Sequence, residues 1–299
     1  MVLQSIISEF EQYEQSHELF EETNFNIRDK TLETIKIIRG SSQFLAEIAK
    51  VSLIQRTEKL ESLIHSYNRS IYLKYLSLLQ DRKIKNNEIR EVLNRFTSYK
   101  AKSLFTNHYA SDDLDYLVDG IFNYNLDNIR LPKRSMEYHH LEVTPAKVIL
   151  DLIDQLEITK DDVFYDFGSG LGHVVIWVHI LAGAKCVGIE IEPTYCELAN
   201  KSISSLNLSD VTIQNADVLE VDYESGNIFF FYSPFSGKLL DDVLSKLQLL
   251  ARDKQIIVCT FGPVTMDMVK VDWLIPRHEQ MIHPFRLAVF NSQLNSRHS

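Results

Sequence analysis

Three acidic residues, Asp166, Glu190 and Asp217, each stand at or just beyond the end of a short apolar run. The first opens a glycine turn, Asp166-Phe167-Gly168-Ser169-Gly170-Leu171-Gly172. Glycine turns between a strand and a helix commonly cradle phosphate at the helix N-terminus. A carboxylate beside that terminus repels phosphate and suits a cofactor that carries positive charge instead. The spacing agrees: a dinucleotide fingerprint reads G-x-G-x-x-G, whereas here the third glycine comes one residue early and His173 takes its place. No G-x-x-x-x-G-K-[ST] run occurs, which excludes a P-loop. S-adenosyl-L-methionine, with an ammonium, a sulfonium, a ribose and an adenine but no phosphate, fits the turn. Glu190 follows the glycines by about twenty residues, the spacing at which an acid accepts both ribose hydroxyls. Asn215-Ala216-Asp217-Val218 then offers Asp217 to an exocyclic amine and the Val218 N–H to the ring. Gly168, Ser169, Gly170 and Gly172 complete the expected cofactor loop. A dehydrogenase is disfavoured by Asp166 and by the glycine spacing.

These residues need a scaffold of alternating strands and helices. Strands are expected at Asp162–Asp166, Cys186–Glu190, Val211–Ile213, Asn227–Tyr232 and Gln255–Cys259, with strand-like pieces between Trp273 and Asn291 that end in Phe285–Phe290. Helices are expected at Ala146–Leu156, Leu171–Leu181, from Pro193, and at Lys238–Leu250. Strand, helix, strand in repetition means right-handed crossovers and a parallel sheet covered on both faces. Ligands then bind at the carboxyl ends of the strands, where all three acids lie. The fourth strand runs into Tyr232-Ser233-Pro234-Phe235, a segment placed to face the transferred methyl group: Ser233 and the Tyr232 carbonyl could hold an acceptor, with Phe235 as a wall.

The segment from Asp162 to Cys259 resembles class I (Rossmann-like) S-adenosylmethionine-dependent methyltransferases. Farther upstream, Tyr138-His139-His140-Leu141-Glu142-Val143-Thr144-Pro145, then the helix and Asp161–Gly170, resemble the Dot1-type histone lysine methyltransferases. The resemblance implies a seven-stranded sheet whose last strand is antiparallel, matching Phe285–Phe290. It also implies that the loop before the helix closes over the methionine end of the cofactor, with Tyr138, Glu142 and Thr144 in the pocket. Thr144-Pro145 also reads as an N-cap followed by proline at the first helical position. The chain departs from the family at Tyr232-Ser233-Pro234-Phe235-Ser236-Gly237, where Dot1-type enzymes carry Asn-Asn-Phe-x-Phe, and it lacks the Asn-Pro-Pro-Tyr of other amino-group methyltransferases.

The remaining chain is of another kind. All 7 prolines lie at or after Pro132, and of 10 glycines only Gly40 precedes Gly120. The breaker-poor first part shows apolar residues at helical spacing from Ser5 to about Leu104, enough for about four helices. The expected organisation is a helical N-terminal domain over 1–105, a connector over 106–137 and the methyltransferase domain over 138–299. Basic residues outnumber acids from Arg56 to Lys102, as a solvated helical face or a docking surface. Overall the net charge is −10, a poor match to nucleic acid or an anionic membrane. Three scattered cysteines, no C-x-x-C pair and no signal-peptide pattern lead to a cytoplasmic expectation without metal. The acceptor stays open between a protein side chain (lysine N-methylation) and a small molecule or other non-protein acceptor. A non-catalytic module that binds the cofactor is the third reading. No general base stands out among Tyr138, His139, His140, Glu142 and Tyr232.

Overall fold

The structure is a computed structural model of the 299-residue chain, and it describes residues 2–44, 47–81, 84–101, 112–122, 124, 141–279 and 282–293. Helices α1 (Val2–Gln15), α2 (Phe25–Gly40), α3 (Glu47–Gln80), α4 (Asn86–Leu93) and α5 (Asp113–Phe122) come first. Helix α5 falls within the stretch expected to be a connector. It forms because Leu114, Leu117, Val118 and Ile121 recur at helical spacing and are all buried, a pattern that Asp112-Asp113 punctuates only at its start. Two compact units divide the chain: α1, α2, α3 and α5 make one, while α4 belongs with the residues of the sheet. The first unit has its own core, in which Phe10, Leu19, Ile35, Ile38 and Ile64 are fully buried.

In the second unit, α6 (Ala146–Leu156) precedes β1 (Val163–Phe167), α7 (His173–Ala182), β2 (Lys185–Glu190), α8 (Pro193–Ser205) and β3 (Val211–Asn215). Then come β4 (Ile228–Tyr232), α9 (Gly237–Leu250), β5 (Ile257–Phe261), α10 (Thr265–Met268), β6 (Leu274–Pro276) and β7 (Ala288–Ser292). The seven strands pair in the order β3-β2-β1-β4-β5-β7-β6. β3, β2, β1, β4 and β5 are mutually parallel, and β7 is antiparallel to both of its neighbours. That is the expected α/β Rossmann-like seven-stranded sheet with its antiparallel last strand. β4 reads Ile-Phe-Phe-Phe-Tyr without alternation because a central parallel strand is buried on both faces. Chain direction across the sheet reverses between β1 and β4, which opens a crevice at their carboxyl ends.

One boundary and one cap differ for local reasons, while α6 spans Ala146–Leu156 as expected. Helix α7 starts at His173 rather than Leu171, because Gly172 is left-handed at φ 77° and the glycine turn therefore continues to it. The N-cap of α6 is Pro145, still extended at ψ 136°, with no side-chain cap, so Thr144 lies one residue outside the capping position. β5 sits two residues later than expected.

Candidate active site

Parallel register sets the site. Asp166 pairs with Gly188 on β2 and with Phe230 on β4. Glu190 and Tyr232 each lie two residues farther along, and a strand alternates faces with period two. Asp166, Glu190 and Tyr232 therefore share one face of the sheet at its ligand-binding edge.

The turn after β1 is tied to β2: the N–H groups of Gly168 and Ser169 both donate to the Ile189 carbonyl, at 2.9 and 3.0 Å. Gly168 adopts φ 75°, and a β-carbon there would collide with the Pro234 ring, so only glycine lets the turn approach the end of β4. Gly170, at φ 52°, is covered by Leu141, whose Cδ1 lies 2.5 Å from where a β-carbon would stand. Tyr124 adds a bond from above, its hydroxyl donating to the Leu171 carbonyl at 2.9 Å, and its ring meets the His173 ring edge-on. His173 is 5% exposed and packs on the first turn of α7.

The two central acids are buried. Asp166 is 3% exposed, and burial, reinforced by the nearby Glu190 charge, pushes its carboxyl up to about 8. Glu190 is 8% exposed. Burial raises its pKa as well, opposed by the backbone N–H groups that stabilise the anion. Its Oε2 accepts from the Gly170 N–H at 2.9 Å and its Oε1 from the Glu192 N–H at 2.7 Å. The Ile191 N–H bonds the carboxylate as well; of about four acceptor directions one is therefore left for a ribose hydroxyl. Two carboxyls desolvated in one crevice favour a cationic ligand, which fits an ammonium and a sulfonium and opposes a phosphate. The Ser169 hydroxyl, buried in the same turn, has no hydrogen-bond partner among the described residues. These residues fit S-adenosylmethionine.

Asp217 and Val218 follow β3. The Asp217 Oδ1 accepts from the Leu219 N–H at 2.9 Å, an Asx-type turn, and Val218 is buried in the core. Of the loop expected to close over the cofactor, Tyr138, His139 and His140 lie outside the described residues. Thr144 is 8% exposed, while the exposed Glu142 accepts a hydrogen bond through Oε2 from the Tyr232 hydroxyl at 2.8 Å.

Beyond Tyr232 the chain turns sharply. Ser233 is left-handed at φ 43°, an uncommon conformation for a residue with a β-carbon. Its Oγ accepts from the Val264 N–H at 3.1 Å and lies 3.4 Å from the Phe261 carbonyl, so the hydroxyl serves the scaffold at the end of β5. Strained residues of this kind cluster at functional sites when their surroundings over-determine them. Pro234 covers Gly168, and Phe235 is buried with its edge against Phe231. Tyr232 is half-buried, its ring 4.9 Å from that of Phe261. Leu141, Tyr124 and Phe261 carry no role assigned from the sequence. Only Phe261-Gly262-Pro263 carried a signal, a turn at a strand end; Leu141 and Tyr124 act through contacts that no local pattern announces.

Residues 138–249 match the family model described as histone methylation protein DOT1. Among solved structures, the chain is similar to an RNA methyltransferase from Salinibacter ruber in complex with S-adenosyl-L-homocysteine. The two are 24% identical, at TM-score 0.38, over 50% of this chain and 92% of that one. A precorrin-6y C5,15-methyltransferase from Geobacter metallireducens is 16% identical, at TM-score 0.39, over 51% of this chain and 90% of the other. TrmN from Thermus thermophilus is 15% identical, at TM-score 0.41, over 50% and 48%. No curated protein matches.

Proposed function

We propose that the chain, an S-adenosylmethionine-dependent methyltransferase with a Rossmann-like, Dot1-like domain, methylates a lysine side-chain amine of a protein. The observation that carries this reading is the Glu142 carboxylate hydrogen-bonded to Tyr232 at the end of β4. An exposed carboxylate bonded to a tyrosine whose ring lies near Phe261 draws in an alkylammonium and repels a phosphodiester.

The proposed cofactor site assigns Asp166 to the methionine ammonium and Glu190 to the ribose. Gly168, Ser169, Gly170 and Gly172 form the loop, Asp217 and Val218 the adenine edge, and Tyr138, Glu142 and Thr144 the cover. Tyr232, Ser233, Pro234 and Phe235 form the acceptor side: Tyr232 lines the mouth, and the other three set its direction. The bound cofactor supplies an electrophilic methyl group for in-line displacement. The protein's own part is to hold the acceptor in line and to keep water out, which can account for a large share of the barrier reduction. A lysine amine, with an ordinary pKa of about 10, must arrive neutral, so its proton leaves at the exposed mouth before transfer.

Tritiated-methyl transfer into a lysate, with protein, nucleic-acid and small-molecule fractions counted separately, tests the reading. Label recovered as methyl-lysine on hydrolysis of the protein fraction is the expected result. Label confined to another fraction overturns the lysine assignment, and label in none makes the chain a binding module.

A further inference from the structure

Resting on that reading of the cofactor cover, we infer that the Tyr232–Glu142 hydrogen bond is a latch. It ties the loop before α6 to the end of β4, and Tyr232 thereby acts as a positioning residue for the cofactor as well as a wall of the acceptor mouth. The loop is held at two points. On the cofactor side, Leu141 packs onto Gly170 within the glycine turn. On the acceptor side, the next residue, Glu142, accepts from the Tyr232 hydroxyl at 2.8 Å. After these, Thr144 is buried and Pro145 caps α6. Glu142 and Val143 are themselves exposed, so no apolar burial holds that part of the loop in place of the hydrogen bond.

The tyrosine end is rigid. Its ring lies against Phe261, and the following residue is clamped by the Val264 N–H at 3.1 Å. A fixed donor facing a carboxylate on an exposed loop is the arrangement of a closure contact. The strained Ser233 corner is what turns β4 away directly after Tyr232. Two consequences follow. The loop cannot lift from the cofactor without breaking the bond to the acceptor wall. Conversely, an acceptor that displaces the Tyr232 hydroxyl from Glu142 loosens the cover on the cofactor side.

The test follows release of tritiated S-adenosylmethionine from the full chain after a chase with excess S-adenosylhomocysteine. Tyr232→Phe keeps the ring on Phe261 and removes only the hydroxyl. Tyr232→Phe and Glu142→Ala are each expected to release label roughly three- to tenfold faster, as loss of a partly exposed hydrogen bond to a charged group implies. Glu142→Gln, which still offers an acceptor oxygen, is expected to restore slow release, and the Tyr232→Phe/Glu142→Ala double variant to match the singles. Unfolding midpoints stay at the wild-type value. Wild-type release from Tyr232→Phe overturns the latch, as do single effects that multiply in the double variant. Fast release confined to the two Glu142 variants overturns it too, because Glu142 then touches the cofactor directly. A wild-type chain that retains no label overturns the underlying reading of the site.

Discussion

At the scale of single residues, the decisive feature is Asp166, a buried carboxyl whose shift carries no offsetting cation among the described residues. Asp166 is raised to about 8 by burial and then by Glu190, so near neutrality the ligand-free site holds it largely protonated. A cationic ligand binds the ionised form, and binding therefore releases a proton. The affinity for S-adenosylmethionine is expected to rise with pH up to about 8 and to level off above. Calorimetry in buffers of different ionisation enthalpy would register the released proton as a buffer-dependent heat. The sign for stability is the opposite of the usual carboxylate case. A folded-state pKa above the unfolded value means that the folded chain binds more protons. The ligand-free protein thus loses stability as pH rises from the ordinary carboxylate range through about 8, and thermal melts across that range check it. Asp166→Asn is expected to flatten both profiles while weakening binding, and Glu190→Ala to weaken binding about tenfold or more, since the proposed ribose contact would be lost.

At the scale of elements, two turns carry the geometry. Gly168→Ala sets a β-carbon against Pro234 in a left-handed backbone. A cost of about 1–2 kcal/mol for the conformation alone is expected, with more from the collision, and cofactor binding is lost before the fold is. Denaturant unfolding and calorimetry on the same sample separate the two effects. Ser233→Ala leaves the buried Val264 N–H without its hydroxyl partner, and about 1–3 kcal/mol of stability is expected to go with it. If Ser233 held the acceptor directly, this variant would instead lose turnover with stability intact. Elsewhere in the sheet unit, α6 is fixed from its far side. The Tyr99 hydroxyl donates to both Asp151 and Asp154, and Arg90 pairs with Asp154 at 2.6 Å. The helix that follows the proposed cofactor cover is thereby anchored to the segment that contains α4.

At the scale of the molecule, the balance of charge bears on partners. A net charge of −10 favours encounter with basic proteins and opposes encounter with nucleic acid. Transfer of label into a lysine-rich protein acceptor is therefore expected to slow as salt rises from about 0.05 to 0.5 M, because attraction is screened over a Debye length that shrinks from roughly 14 to 4 Å. A nucleic-acid acceptor would show the reverse trend, so initial rates against ionic strength decide it. Among the described residues no helix is long and apolar enough to cross a membrane. None of their His, Cys, Asp and Glu side chains gather into a metal-holding cluster either.

Much of this was legible locally. The glycine turn, the strand-end acids and the strand–helix alternation are short-range patterns, because a parallel sheet brings consecutive strand ends to one edge whatever the loops contain. The sequence by itself therefore determined the fold class, the cofactor and the edge where chemistry occurs. Tertiary structure alone decided how the segment after β4 is arranged. The roles of Tyr232, Ser233, Pro234 and Phe235 depend on partners far along the chain: Glu142, Val264, Gly168 and Phe231. Ser233 was expected to face the acceptor, and its hydroxyl is instead committed to the end of β5. Nothing in a four-residue run records which way a left-handed corner will turn its neighbours. That direction follows from packing against strands and loops that only the folded chain brings together.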